Sequence, residues 1–277
     1  MKKYLKLARV HHYIKNILVI APLFFSGRLS DAALLGKAIF AFFAFSVLSS
    51  SVYVLNDLHD APYDRCHEKK KSRPIASGEI KERSALIFAV CLFFIAVVLA
   101  YFAGGGYVYL ALYVLINIFY SLKGKNIPIL DIALLVSGFL LRVFYGATVT
   151  GIEISSWLYL MVMSLSFYLG LGKRRNELKR SSDKAREVLK SYNYNFLDKM
   201  MYMFLTMAII FYSLWATQAT GSKMIWTVPL VMLIFMRYAL IAEGDSDGDP
   251  VDVIVHDKII VLLTVIYFAA LSIILYF

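Results

Sequence analysis

Asn56, Asp57, Asp60 and Asp64 are the residues best suited to chemistry, in the run Val54-Leu55-Asn56-Asp57-Leu58-His59-Asp60-Ala61-Pro62-Tyr63-Asp64-Arg65. The i, i+3, i+7 spacing puts the three aspartates on one helical face, and Asn56 and Asp60 pair at i, i+4 on a neighbouring stripe. Stacked carboxylates repel each other by roughly a few tenths of a kcal/mol per pair, so they are not there for helix stability. A divalent cation would relieve that repulsion. Oxygen ligands without a Cys/His set suit Mg2+, or Mn2+, rather than zinc. Mg2+ binds through one or two carboxylates plus substrate phosphates, so the acidic face reads as a dock for a Mg2+–diphosphate. The competing reading is a solvated helix end neutralised by Arg65 and Lys69–Lys71. Pro62 cannot donate to the carbonyl four residues back, which predicts a bend that takes Asp64 off the common line.

Other polar residues gather near this one. The run Lys69-Lys70-Lys71-Ser72-Arg73-Pro74 serves lipid headgroups or substrate phosphates, Arg73 by paired hydrogen bonds. Tyr120 and Lys123 close one apolar stretch, and Asp131 sits about a turn past Pro128, where a carboxylate needs a partner such as Lys123 or a ligand. Lys173, Arg174 and Arg175 leave another stretch together, placed to hold an anion. Arg142 lies deep in an apolar run, marking an internal ion pair or a substrate path whose partner the sequence does not name. Leu189, Tyr192 and Phe196 form an apolar stripe read as packing. The acidic stretch Gly244–Pro250 lacks the ordered ligands of a calcium loop, and the five histidines and two cysteines show no metal or redox spacing.

These residues are positioned by a chain of 277 residues that is 60% hydrophobic and only 17% charged, with mean hydropathy +0.67. A soluble domain is about 45–50% apolar and about 25% charged, so the expected fold is all-α and membrane-spanning. Apolar runs near 14–26, 33–57, 84–103, 107–122, 128–150, 155–172, 200–219, 224–242 and 258–277 predict nine transmembrane helices. The first imitates a signal peptide but lacks a small-x-small cleavage pattern, so it is kept as a helix. With the N-terminus inside, 24 of the 29 Lys/Arg residues fall on inner segments, which sets the N-terminus cytoplasmic and the C-terminus outside. The net charge of +10 then belongs to topology, anionic lipid and an anionic substrate, not to nucleic acid. The expected unit is one integral-membrane domain, 1–277, in a cell (cytoplasmic) membrane. Its long cytoplasmic loops, 58–83 and 173–199, form a cap over the site. Small lipid-facing residues leave room for a homo-oligomer without setting its size.

Asn56-Asp57-x-x-Asp60-x-x-x-Asp64 at the inner end of the second predicted helix resembles the first aspartate motif of the UbiA prenyltransferase superfamily. The resemblance implies a nine-helix intramembrane enzyme with a Mg2+-dependent, cytoplasm-facing cavity. A narrower likeness, to the polyprenyl-phosphate phosphoribosyltransferase branch, runs nearly end to end. It rests on Arg9-x-His11-x-x-x-Lys15-Asn16 with Ala21-Pro22, Arg73-Pro74-Ile75-Ala76-Ser77-Gly78, Tyr120-Ser121-x-x-Lys123, Lys173-Arg174 with Glu177, and Gly248-Asp249-Pro250 with Asp257. One departure from prenyl-diphosphate users stands out. Their second aspartate motif pairs carboxylates four apart, whereas Asp131 is followed by Leu135, which argues against a second metal cluster.

What this likeness implies is transfer of the phosphoribosyl group of 5-phosphoribosyl diphosphate (PRPP) to a polyprenyl phosphate. Asp57, Asp60, Asp64 and Asn56 would hold the metal and diphosphate. Lys123, Lys173, Arg174 and Arg175 would hold the donor's 5-phosphate; Lys15, Asn16 and Arg73 the acceptor phosphate. Arg65, Tyr120 and Asp131 complete the expected substrate-binding set. Two alternatives stay open: prenyl transfer from a prenyl diphosphate to an aromatic acceptor, and transport of a phosphorylated lipid or metabolite. Transporters commonly carry inverted repeats, and no internal repeat is visible here.

Overall fold

The structure, a computed structural model, describes residues 2–66, 70–179, 187–218, 223–243 and 257–276. Lys69 and the acidic stretch 244–256 lie outside them. All regular structure among the described residues is helical. The long helices are α3 (Ala32–Asp64), α4 (Glu82–Ala103), α5 (Tyr107–Leu122), α6 (Leu130–Thr150), α7 (Ser156–Lys179), α8 (Tyr194–Gln218), α9 (Val228–Glu243) and α10 (Lys258–Tyr276), after the short α1 (Lys2–Ala8) and α2 (Ala21–Phe25). Among the described residues, six helical stretches are long and apolar enough to cross a membrane: α3, α4, α6, α8, α10, and α9 with the turn before it. At 16 residues α5 is apolar but shorter, and α7 ends in Lys173-Arg174-Arg175-Asn176-Glu177-Leu178-Lys179, which dilutes its hydropathy.

The first predicted span, 14–26, differs in form. Val10–Val19 is a ten-residue 3-10 helix, and a separate five-residue helix begins at Ala21. Pro22 explains the break: proline fits the first turn of a helix, where its missing N–H costs nothing. The predicted bend at Pro62 is also absent as a break. Helix α3 runs 33 residues to Asp64. Pro62 lies two residues before that end, so it removes only one hydrogen bond, in the last turn. At its start, the Asp31 carboxylate caps the helix by accepting from the amides of Ala33 and Leu34 at 3.1 and 3.2 Å.

The chain falls into two compact units, Met1–Ser121 with Leu141–Glu153, and Leu122–Leu140 with Ile154–Phe277. In the first, Ala41, Ala44, Ala96, Ala100 and Ala103 line the approach of α3 and α4, since small side chains let helices pack closely where lipid supplies no hydrophobic drive. Phe45, Tyr113 and Tyr145 fill the space beside them. Gly104–Gly106, all with positive φ, turn α4 into α5 without a Cβ penalty. In the second unit, Tyr168 and Leu171 of α7 meet Leu197, Met201 and Leu205 of α8, with Ile132 and Val136 of α6 and Tyr238 of α9 in the same cluster. The stripe residues Leu189 and Tyr192 are buried there, as packing predicted, while Phe196 is partly exposed.

Gly146 allows α6 to meet the 3-10 segment backbone to backbone. A Cβ there would lie 1.8 Å from the Val19 carbonyl oxygen. Overpacking a fitted core costs about 1–3 kcal/mol, and an obstacle made of backbone puts Gly146→Ala at or above the upper end. The expected result is a clear fall in the melting temperature of the detergent-solubilised protein. Gly36→Ala is the control, because a Cβ at that position would meet nothing within 4 Å; it should hold or raise the melting point.

Candidate active site

In the first unit the acidic face of α3 is closed by arginine. Asp57 Oδ1 accepts from Arg9 Nη2 at 2.6 Å and from Arg73 Nη1 at 3.1 Å, and the same Arg73 nitrogen reaches Asp64 Oδ2 at 2.6 Å. Lys70 Nζ lies 4.0 Å from Asp64 Oδ1. Asp57 and Asp64 are buried and Asp60, on the same helix, is half-buried. Asp64 therefore remains in line with Asp57, seven residues apart and sharing one guanidinium.

Two local devices hold the arginines. Arg73 begins the turn Arg73-Pro74-Ile75-Ala76-Ser77-Gly78, closed by Ser77 N–H to Arg73 O (2.8 Å) and Ile80 N–H to Pro74 O (2.9 Å). Gly78 supplies a positive φ of 80°. Ile75 and Ile80 anchor this turn in a core with Leu7, Val54, Ala61, Ala85 and Ala89. From α1, Lys3 and Lys6 donate to the carbonyls of Glu79 and Ser72. Arg9 stands at the junction of α1 and the 3-10 segment with φ 50° and ψ 47°, a left-handed conformation that costs a non-glycine residue roughly 1–2 kcal/mol. Ser50 of α3 fixes this junction by donating to the Ala8 carbonyl at 2.7 Å, and Arg9 lies over the Tyr53 ring at 5.1 Å. Strain held in place by its surroundings is a mark of functional sites.

Asn56 Oδ1 accepts from Ser121 Oγ of α5 at 2.9 Å. Arg65 turns away from the aspartates to Glu82 at 2.9 Å, both exposed, so it is a surface pair and not a neutraliser of the acidic face. Lys15 and Tyr120 are half-buried. Asn16 is buried, donating to Ser46 Oγ at 3.0 Å and accepting from Arg142 Nε at 2.7 Å. That resolves Arg142: its guanidinium is bonded to Asn16 and lies over the rings of Phe45 and Tyr113 at 4.7 and 5.1 Å.

In the second unit Asp131 is fully buried, with Arg174 Nε on one oxygen and Tyr192 Oη on the other, both at 2.6 Å. The partner is thus Arg174 rather than Lys123, which is exposed. Arg174 also binds Glu177 at 2.7 Å. Arg175 bonds the Asp198 carboxylate and lies over Tyr194 at 5.7 Å, while Asn176 donates to the Ala242 carbonyl at 3.1 Å. Arg174 and Arg175 are each 1% exposed, so their charges are engaged inside the helix bundle; a buried guanidinium needs a carboxylate, and α7 finds them on α6 and α8. Lys173 is half-buried. Tyr192 also accepts from the Ile129 amide at 2.5 Å, bracing a residue at φ 68°.

Burial and the bond to Asp131 push the Tyr192 phenol up to about 12. Its folded value lies above the ordinary tyrosine value near 10, so its contribution to stability is complete below pH 10 and is lost between 10 and 12. Tyr192→Phe should therefore flatten the fall in melting temperature over that range, compared with the unaltered chain.

Arg9 and Asp198 are charged residues of these clusters that spacing did not single out, and Tyr192 was read only as part of a packing stripe. Arg9 stands in a noted run, but its partner is 48 residues away, and no local pattern reports such a distance.

The sequence profile of the UbiA prenyltransferase family matches residues 17–252, a span that takes in the acidic face, and the chain belongs to that family. Its relatives include decaprenyl-phosphate phosphoribosyltransferases. The one from Corynebacterium glutamicum is 32% identical, covering 94% of this chain and 82% of that one; that of Mycolicibacterium smegmatis is 29% identical over 99% and 92%. Among solved structures, a UbiA homolog from Archaeoglobus fulgidus bound to GPP and Mg2+ shares the fold, with TM-score 0.75, 19% identity and coverage of 98% and 99%. This is a multi-pass membrane protein of that fold.

Two buried carboxylates with waters and substrate phosphate oxygens are a set that Mg2+ uses, and Asp57 and Asp64 offer that set with Asn56 and Asp60 nearby on the helix. Among the described residues no three His, Cys, Asp or Glu side chains come together as a ready-made metal site. The donor chemistry fits, and Arg9 and Arg73 bond to the same two carboxylates.

Proposed function

We propose that this chain transfers the 5-phosphoribosyl group of PRPP to a polyprenyl phosphate and releases diphosphate. The observation that carries the reading is the pairing of the two buried aspartates, Asp57 and Asp64, with Arg9 and Arg73, in a chain similar nearly end to end to decaprenyl-phosphate phosphoribosyltransferases. Asp57, Asp64 and Asp60, with Asn56, would hold Mg2+, or Mn2+ in its place. Bound there, the ion would supply positive charge against the leaving diphosphate. Arg9 and Arg73 orient the diphosphate and take up the charge that develops as the C1–O bond breaks. The acceptor phosphate oxygen attacks the opposite face of the ribose, so C1 inverts. That oxygen is already anionic, and no general base is needed.

Lys123 and Lys173 are the cations assigned to the ribose 5-phosphate. Lys15 remains the candidate for the acceptor phosphate, with Tyr120 as a further substrate contact. Arg174, Arg175, Asp131 and Asn16 take supporting roles because they are buried in bonds within the protein, and Arg65 because its exposed pair with Glu82 lies away from the acidic face. The proposed setting is a nine-span arrangement in the cytoplasmic membrane, N-terminus and site on the cytoplasmic side.

The test incubates purified protein with Mg2+, PRPP and polyprenyl phosphate, and weighs the lipid product. A gain of one phosphoribosyl group is expected, abolished by EDTA. Prenyl transfer from a prenyl diphosphate is the second reading, favoured by the GPP bound in the solved relative. An inert mixture with PRPP, beside turnover of a prenyl diphosphate with an aromatic acceptor, would replace the first reading by the second.

A further inference from the structure

We infer that Arg9 and Arg73 form an exchangeable clasp. They occupy the cation's place on Asp57 and Asp64 until the donor arrives, then transfer to its diphosphate, so that metal and donor bind together and neither binds well alone. This rests on the proposed PRPP site and says how that site is filled.

The balance of charge leads there. Two carboxylates and two guanidiniums already offset one another at 2.6–3.1 Å. A divalent cation added alone must either displace both arginines or share oxygens with them, at close like-charge range. A polyanionic diphosphate added alone faces two buried aspartates whose partners are committed. When both arrive, each acid gains metal and each arginine gains phosphate oxygens, so the two acids and the two arginines all keep an opposite charge.

The supports of the two sides differ in the way an exchange requires. Asp57 and Asp64 stand on one continuous helix. Arg73 and Arg9 stand on connecting segments, one at the head of a glycine-containing turn and one at a left-handed junction between two short helices. The side chains of Arg9 and Arg73 keep about a quarter of their surface open, at 23% and 27%, against 4% for the aspartates. In the exchange the guanidiniums, which reach solvent, are the groups that move, while the acids stay on their helix. Lys70, 4.0 Å from Asp64, adds a third cation on the arginine side.

The test reads Mn2+ binding to the purified full-length protein from the free-ion EPR signal, with and without PRPP and without acceptor. In the unaltered chain PRPP should tighten Mn2+ binding by about tenfold or more, and Mn2+ should tighten PRPP by the same factor. Arg73→Gln and Arg9→Gln should each strengthen binding of Mn2+ alone by several-fold while shrinking the PRPP-induced gain. Asp57→Asn should lose Mn2+ under both conditions. If Asp57→Asn keeps its PRPP-dependent Mn2+ binding, the metal reading itself falls. If it loses that binding but neither arginine variant alters the affinity for Mn2+ alone, only the clasp falls. The coupling measured in the unaltered chain stands apart from any folding defect, and its absence would also overturn the clasp.

Discussion

Asp57→Asn should reduce turnover about a hundred- to a thousandfold, with the protein still inserted and monodisperse. Removing one preorganised electrostatic contact to a developing charge commonly costs this much. Asp57 is where the effect should be largest, because both Arg9 and Arg73 bond to the same carboxylate oxygen. The amide keeps the shape but not the charge, so metal affinity and the hold on both arginines weaken together. Asp64→Asn should be milder, since Arg73 keeps its bond to Asp57. Glu82→Gln breaks only the exposed pair with Arg65, an interaction worth about 0–1 kcal/mol, and activity should stay within about twofold. Initial rates with labelled PRPP at saturating acceptor decide the matter; an Asp57→Asn enzyme at full speed would remove the acidic face from the mechanism.

Arg174→Gln should destabilise the protein more than any surface change. It leaves Asp131, fully buried, with Tyr192 as its side-chain partner among the described residues. Breaking one side of a buried ion pair costs about 3–5 kcal/mol, whereas removing both charges is often close to neutral. The expected pattern is low yield and a melting temperature down by roughly 10 °C for Arg174→Gln, a similar loss for Asp131→Asn, and recovery of most of it in the double variant. Fluorescence-detected size exclusion and thermal melts in one detergent would show this. If each single change shifts the melt by about a degree or less, the Asp131–Arg174 bond is not structural and Arg174 becomes available to substrate again.

The contrast between the two clusters separates what local pattern reports from what it leaves out. Apolar length announced the helices, because any stretch of about twenty uncharged residues must cross lipid or find a very large core. The acidic face at Asp57, Asp60 and Asp64 was legible for a similar reason: helical periodicity alone puts those side chains on one line. The same reasoning placed Lys173, Arg174 and Arg175 together at the end of α7, where two of the three prove to be buried in ion pairs. A charge at a helix end looks identical in sequence whether it meets water, substrate or a carboxylate from another helix.

Helix content, the membrane setting, the acidic line on α3 and the family likeness thus follow from residue type and short-range spacing. Which cation answers which anion does not. Asp57 finds Arg9 across 48 positions and Asp131 finds Arg174 across 43. Such pairs are chosen when helices pack, because a desolvated charge must take whatever opposite charge the packing brings within reach. The division of basic residues between holding substrate and holding the protein together is therefore a property of the packed chain.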